Sequence, residues 1–475
     1  MIRRAAVALL LVACVSGSPR VPACRVVLIS FDGFGADEFA KQRDLPSFAK
    51  LEREGFYVER VTPVTPSQTS SAHVAMITGT TPEVNGIVGN RFHVPGTPWT
   101  EIADGFSADI DGETLVESAH RQGKRVGSIA FPTVDARNAR RTADFGLLFT
   151  DPVEKPRTMH MSRADLARVN VDAHGWFATS DGVCGTWSKV MTATTDDVTI
   201  YRGPKSCTEG YPESFLQTVT REAGFWPGPP DPSVDPETFA EQNARLGAYL
   251  AGVTALAINH ERFDLLLAYE PTVDAAEHHY LGRREDIVAR SFEAADRALS
   301  TIVSALHASR DAIVVTGDHG LAPIDTEVHL KALLNDVRWL PVATGGGVAH
   351  LYDVGGADVN ATAAKLAATG FFERIDRKSH PNSGDLVLYA WPHVALSAED
   401  GDVVVTLPRG AAQHGGIGSH HELQTVLFAW GAGVEQGVKR AMQQTEIAAF
   451  VSRLLGISQP NHTSAATAKN TIHDR

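Results

Sequence analysis

Residues 25–35, RVVLISFDGFG, open as an unbroken apolar run with β-branched residues and close on an acid and two glycines. A continuous apolar run, rather than an alternating one, fits a strand buried on both faces, as the strands of a parallel sheet are. The turn after it leaves Asp32 just beyond the strand's carboxyl end. Two other stretches repeat the pattern. Phe263–Tyr269 (FDLLLAY) runs on to Asp274 and His278, and Ala312–Thr316 (AIVVT) runs into Gly317, Asp318 and His319.

Helical patterns stand between these strands. Leu45–Glu52 carries Pro46 at a helix start, with Gly55 as its stop. Phe239, Asn243, Leu246, Leu250, Val253 and Leu256 set a helical period over Glu237–Glu261, and Ile287–Ser309 and Glu446–Leu455 are two more helices. Further strands are expected at 56–61, 124–130 and 426–430. Such alternation implies an α/β/α sandwich with a mostly parallel central sheet. Sites in such sheets form beyond the carboxyl ends of the strands. Two stretches break the alternation. Residues 136–240 are polar and rich in Gly and Pro, and 331–410 show short alternating strands with Gly-rich turns. Both read as insertions that cap a catalytic domain over 22–458, and the polar tail, 459–475, is expected to be disordered.

The 475 residues carry 43 Lys+Arg against 56 Asp+Glu, a net charge of −13, with 43% hydrophobic and 21% charged residues. That balance excludes wholesale disorder and a multi-span membrane protein. It argues against a stable nucleic-acid complex held by phosphate contacts. A small anionic substrate stays open, because a bound cation reverses the local field.

The first residues, MIRRAAVALLLVAC (1–14), pair a basic start with an apolar run, Ala5–Ala13, too short to cross a hydrocarbon core of ~30 Å. This is the pattern of a signal peptide. Leu11-Val12-Ala13-Cys14 resembles a bacterial lipobox, which would make Cys14 the lipidated residue; cleavage near Ser16–Ser18, with Cys14 lost, is the alternative. The expectation is an exported protein of a bacterium, periplasmic or tethered to the membrane through Cys14. Export favours disulfides. Cys184 and Cys207 lie 23 residues apart in a Gly/Thr/Ser-rich segment and are the expected pair, which leaves Cys24 as a small buried residue.

An acid at a strand end is usually a turn or cap residue, and Asp-His-Gly alone is a common loop. Together, Asp32, Asp274 and Asp318 with His278, His319 and His414 (the last in QHGG, 413–416) supply six ligand-type side chains to one sheet edge. Three imidazoles with three carboxylates suit zinc better than calcium or magnesium. Six ligands fit two ions, and a pair about 3.5–4 Å apart can clamp the attacking and leaving oxygens of an in-line displacement. TPSQTSSAHVAMITGT (65–80) passes from a hydroxyl-rich loop into a short helix, capped by Ser70 or Ser71 and ended by Gly79. A hydroxyl at a helix N-terminus beside a metal makes a nucleophile. The residues alone leave Thr65, Ser67, Thr69, Ser70 and Ser71 all open for that role.

SFDGFG (30–35), TPSQTSSAHVAMITGTTPEVNGIVGN (65–90), YEPTVDAAEHH (269–279), TGDHG (316–320) and QHGG (413–416) occur in the order seen in one family. The chain resembles the type I phosphodiesterase/nucleotide pyrophosphatase family of the alkaline phosphatase superfamily. The resemblance implies an alkaline phosphatase-like fold and two zinc ions per chain. Asp274, His278 and His414 would hold one ion; Asp32, Asp318 and His319 would hold the other, with Thr69 beside it as a metal-activated nucleophile. Asn90 would donate a hydrogen bond to a phosphate oxygen. The implied reaction passes through a phospho-threonine.

Departures from the family are local. Members often carry Phe-Pro-Asn-His after the nucleophile, where this chain has Ser70-Ser71-Ala72-His73. His73 is expected to be structural, and His279, His420 and His421 to face solvent or support the ligands. Related monoesterases carry Lys-x-Arg near residue 130. Ala130-Phe131-Pro132 instead resembles the aromatic-Pro segment of diesterases, where Phe131 would bind substrate by stacking on a base or lining an apolar pocket, unless it only packs in the core. A small diester, nucleotide-like or otherwise, is therefore the expected substrate, with a phosphomonoesterase as the alternative. A sulfatase would need Cys-x-Pro-x-Arg or its serine form, absent here. Export disfavours a cofactor-independent phosphoglycerate mutase. A non-catalytic exported binding lipoprotein would not need the full ligand set.

Overall fold

The computed structural model describes residues 23–134, 138, 140–195 and 197–461. The leader with Cys14, and the tail beyond 461, lie outside the described residues. The central sheet has nine strands. In chain order they are β1 (Arg25–Phe31), β2 (Phe56–Thr62), β3 (Val126–Ile129), β4 (Phe145–Leu147), β5 (Gly210–Tyr211), β6 (Leu265–Glu270), β7 (Asp311–Gly317), β8 (Thr425–Gly431) and β9 (Gly437–Gln443). They lie side by side as β5-β4-β3-β6-β1-β7-β8-β2-β9. The five strands from β4 to β7 are all parallel to their neighbours. β8 runs antiparallel to both β7 and β2, so β2 returns to the common direction, and β9 pairs parallel with it. β5 is antiparallel to β4.

The helices that bear on the site are α1 (Pro46–Glu54), α2 (Thr69–Thr78), α3 (Leu115–Arg121), α4 (Pro236–His260), α5 (Thr272–Tyr280), α6 (Glu285–Ser304) and α7 (Glu446–Leu455). Alternation along β1 shows how they are sorted, because successive strand side chains point to opposite faces. Val27, Ile29 and Phe31 join a core with Phe48 and Leu51 of α1, Leu246 and Leu250 of α4, and Phe292 of α6. Val26 and Leu28 join the other core, with Met76 and Ile77 of α2, Leu115 of α3 and Val451 of α7. Every residue of β6 and β7 is buried. Covered faces on both sides explain why these strands read as unbroken apolar runs.

Register sets the site. Phe31 lies opposite both Glu270 and Gly317, so β6, β1 and β7 end level. Asp32, Asp274 and Asp318 therefore leave one edge together. Gly33 makes that crowding possible: its φ is +68°, and a Cβ there would lie 2.6 Å from the Cα of Asp274. Gly33→Ala is expected to cost about 1–3 kcal/mol in strain and overpacking and to displace Asp274, read as a lower urea midpoint with reduced turnover.

Three expectations need correction. Helix α2 starts two residues earlier than a Ser70 cap would place it, and three earlier than a Ser71 cap, with Gln68 at the N-cap and no side-chain cap of its own. The cap comes instead from a distant loop, where the Asn90 carboxamide oxygen accepts from the Ser70 N–H at 2.9 Å. Cys24 is exposed, because it stands outside the sheet, one residue before β1. Residues 136–240 are not a single insertion. β4 and β5 belong to the main sheet, and a separate four-stranded antiparallel sheet spans Arg157–Ser162, Trp176–Ser180, Cys184–Ala193 and Asp197–Cys207.

In that smaller sheet Cys184 and Cys207 lie opposite each other and are joined by a disulfide. Gly79 ends α2 in the left-handed conformation, φ +73°. Within 331–410, Trp339–Ala343, Val348–Asp353, Leu386–Ala390 and Phe372–Arg377 form a four-stranded sheet over its own apolar core. Among the described residues no helix is long and apolar enough to cross a membrane.

Candidate active site

Beyond the level ends of β1 and β7, Asp32, Asp318 and His319 are buried side by side. His319 Nε2 is the point on which their neighbours converge: Asp318 Oδ2 lies 3.1 Å away, Asp32 Oδ1 3.4 Å and Thr69 Oγ1 3.2 Å. Asp318 is anchored through its other oxygen, which accepts from the backbone N–H of Gly33 and of His319. The Tyr269 hydroxyl, at the end of β6, donates to Asp32 Oδ2. Asp32 Oδ1 and Asp318 Oδ2 are left buried with no hydrogen-bond partner among the described residues.

Asp274 and His278 sit four apart on one face of α5, with His278 Nε2 3.2 Å from Asp274 Oδ1. His414 enters from the loop after the strand Val404–Gln413, and its ring stacks on His319 at 3.8 Å. The Nδ1–H of His278 donates to the Ala412 carbonyl at 2.9 Å and that of His414 to the Ser67 carbonyl at 3.2 Å. These bonds make Nδ1 the protonated nitrogen of each ring and turn Nε2 toward the acids, the atom a metal-bound histidine would use. Here His278 Nε2 pairs with Asp274; burial lowers the His278 pKa, but the Asp274 charge outweighs it and raises that pKa to about 9.

Ligand atoms of Asp32, Asp318 and His319 lie within 4.8 Å of one another, and so do those of Asp274, His319 and His414. His319 belongs to both sets, so the two are contiguous. The donor chemistry fits metal ions: carboxylates with orphaned oxygens lie within reach of the ring nitrogens of His319 and His414.

Electrostatics agree. Burial, then the Asp274 charge, pushes the Asp32 carboxyl up to about 8. Burial and the Asp32 charge push Asp318 well above the carboxylate range. Burial acts on Asp274 in the same direction, but His278 outweighs it and holds that acid below its ordinary value. Burial holds His414 down to about 4, and burial with the His414 charge holds His319 well below its usual range. Like charges crowded in a dry site take up protons unless cations replace them.

Thr69 is the first residue of α2, with its hydroxyl against His319. Asn90 Oδ1 is spent on the Ser70 N–H, and its backbone N–H donates to Gln68 Oε1 at 2.7 Å. That leaves the Asn90 amide nitrogen as a donor next to Thr69. Thr65 Oγ1 accepts from the Gly418 N–H and Ser67 donates to the Gly416 carbonyl, so both are engaged in holding the loop. The hydroxyls of Ser70 and Ser71 are buried with no partner among the described residues. His73 is fully buried and donates from Nδ1 to the Thr69 carbonyl at 2.7 Å, which steadies the turn that carries the nucleophile candidate.

A cavity of about 400 Å³ opens beside these groups, lined by Phe106, Phe131, Phe149, Tyr269, Asp104 and Asp151 among others. Phe131 both lines the cavity and packs in the core, with its ring edge-on to His73 at 5.1 Å. Phe149 is half-exposed and rests on Trp226 and Tyr269. His279 is exposed on α5; His420 pairs with Glu373 and His421 with Asp37, and none of the three reaches the ligand sets.

Sequence patterns alone missed Tyr269, Phe149, Phe106 and Gln68. Tyr269 carries the one available signal, since a tyrosine ending an otherwise aliphatic strand needs a partner for its hydroxyl. The others are loop residues with no local mark.

A family model for type I phosphodiesterase / nucleotide pyrophosphatase matches residues 26–417. Ectonucleotide pyrophosphatase/phosphodiesterase family member 7 of Mus musculus is 33% identical over 131 residues, covering 26% of this chain and 29% of its own length. The bis(5'-adenosyl)-triphosphatase enpp4 of Xenopus laevis is 28% identical over 148 residues, 31% of this chain and 32% of its own. The aligned stretch thus spans about a third or less of these curated relatives. Among solved structures, murine ectonucleotide pyrophosphatase/phosphodiesterase 5 superposes with a TM-score of 0.61 at 15% identity, over 93% of this chain and 98% of its own. An inactive form of that murine protein is in complex with AMP, with a TM-score of 0.60 at 14% identity, over 93% of this chain and 97% of its own. Phosphonoacetate hydrolase from Sinorhizobium meliloti 1021 gives a TM-score of 0.60 at 17% identity, over 92% and 96%. At these identities the structural likeness establishes the alkaline phosphatase-like fold.

Proposed function

The chain belongs to the type I phosphodiesterase/nucleotide pyrophosphatase family, and from that membership we propose an exported, two-zinc phosphodiesterase that works through a Thr69 nucleophile. The observation that carries this reading is the convergence of Asp32, Asp318 and Thr69 on His319 Nε2, at the edge of an aromatic cavity. Asp32, Asp318 and His319 would hold one zinc, and Asp274, His278 and His414 the other. A bound pair supplies Lewis-acid charge for the attacking and leaving oxygens. Thr69, set at the positive end of α2, attacks phosphorus and becomes a phospho-threonine as the alcohol departs. The Asn90 amide donates to a phosphoryl oxygen, its carbonyl side being fixed by Ser70. Water then releases the remaining monoester from Thr69.

Three aromatic rings and Tyr269 make the cavity a place for the organic part of a diester, and the relative captured with AMP supports a nucleotide-like one. Asp104 and Asp151 line it, with no Lys or Arg among the described lining residues. A monoester's second charge would go uncompensated there, so bis-p-nitrophenyl phosphate is expected to be turned over faster than p-nitrophenyl phosphate. The reverse order would establish the monoesterase. Phe149→Ala is expected to raise KM for the diester about three- to tenfold with kcat little changed, the worth of one aromatic contact. An unchanged KM would remove Phe149 from the substrate pocket.

The basic-then-apolar leader, and the Cys184–Cys207 disulfide, support export to an oxidising compartment. Tethering through Cys14 is read by fractionation: Cys14→Ala moves the protein from membrane to soluble fractions if the lipid is there, and leaves its distribution unchanged if not.

A further inference from the structure

A second cavity, of about 350 Å³, lies away from the strand ends, between the inserted sheet, α4 and α6. Trp176 lines it from the smaller sheet, Asp172 and His174 from the loop that leads into that strand, Glu241 and Arg245 from α4, and Arg290 from α6. Arg245 stands out. Its guanidinium is clasped between two indole rings, 4.4 Å from the centroid of Trp176 and 3.9 Å from that of Trp187. Yet it makes no hydrogen bond or ion pair among the described residues, and its Nη1 is buried without a partner. An arginine offers five donors in a fixed fork, and leaving a buried charged donor unmet is costly.

The charges of Asp172 and Glu241 act on the guanidinium through the field alone, since the hydrogen bonds these acids accept come from other groups. Glu241 accepts from the Trp176 indole N–H at 2.8 Å and from Lys189. Asp172 accepts from the backbone N–H groups of His174 and Trp176, at 2.8 and 2.9 Å. Arg290 pairs with Glu237, outside the cavity, and Arg297, which also lines it, approaches Glu293 at 3.7 Å. Burial lowers the Arg245 pKa only to about 10, so it stays a cation at neutral pH. What remains is a rigid guanidinium with open donors, set in a pocket edged by two further arginines.

We propose that this cavity is a second ligand site that binds the carboxylate or phosphate group of a small anionic molecule, with Arg245 as its anchoring donor. The two tryptophans fix the fork's orientation, and Arg290 and Arg297 add positive field at the mouth. The site is separate from the metal-type cluster and does not depend on the reaction assigned to Thr69.

The test titrates the full protein with succinate and, separately, with inorganic phosphate, followed by tryptophan fluorescence and calorimetry. Two arms tell a carboxylate ligand from a phosphate one. Saturable binding of at least one probe is expected in the wild type, at least tenfold weaker in Arg245→Gln, with bis-p-nitrophenyl phosphate turnover unchanged within twofold. Should Arg245→Gln fail to fold, the surface variant Arg290→Gln/Arg297→Gln is expected to weaken the same binding at least threefold. Equal affinity in wild type and in whichever variant folds, or no saturation by either probe at about 10 mM, where even weak sites of a few kcal/mol fill, overturns the proposal.

Discussion

Thr69→Ala is expected to lose at least about a thousandfold in turnover while keeping its fold and its metal, since removing a nucleophile strips the covalent route and leaves only binding and field effects. The substitution deletes one hydroxyl and one methyl at the first position of α2, where alanine is an acceptable helix residue. The proposed ligands beyond β1 and β7 and on α5 are untouched, so metal content is expected to match the wild type. The controls matter as much as the variant. Ser70 and Ser71 also carry buried hydroxyls with no partner, one and two residues further along the same turn. Ser70→Ala and Ser71→Ala should keep most activity, because only Thr69 places its oxygen against His319, at 3.2 Å. Full activity in Thr69→Ala, or a matching collapse in Ser71→Ala, would reassign the nucleophile.

Stripping metal with a chelator is expected to abolish activity and lower the melting temperature, with both restored by zinc. The reason lies in burial. Asp32, Asp318 and His319 have almost no solvent exposure, and Asp32 Oδ1 and Asp318 Oδ2 lack any partner among the described residues. Several kcal/mol per ion is the usual penalty for a charge in that setting. Without a cation the acids are driven toward the neutral form, Asp32 up to about 8. A ligand that binds only the folded state at about 1,000 times its Kd adds about 4 kcal/mol of stability. Calorimetric scans with and without chelator read that difference. Identical scans, with activity retained, would mean that the acids are not metal ligands.

The strand ends were legible in the sequence because strands covered on both faces cannot alternate. The runs before Asp32, Asp274 and Asp318 therefore announced a parallel sheet and its functional edge. Level endings, Phe31 beside Glu270 and Gly317, then brought the acids together. The expectation of export, with the 23-residue separation in a Gly/Thr/Ser-rich segment, also paired Cys184 with Cys207, and the structure joins them. What stayed hidden depended on contacts between distant segments. The cap of α2 comes from Asn90, and nothing near Ser70 announces it. Tyr269 reads as one more core residue until its hydroxyl meets Asp32. Phe149 follows β4, in a stretch whose polar composition concealed two strands of the main sheet. Cys24 looked buried from its small size, but its place one residue before β1 left it exposed.

Zinc-edge anomalous scattering from crystals of the full protein tests the central claim most directly. Two peaks are expected about 3.5–4 Å apart, one among Asp32, Asp318 and His319 beside the Thr69 hydroxyl, and one among Asp274, His278 and His414. A crystal grown with zinc that shows no peak between these side chains, or ions bound only elsewhere, would contradict it.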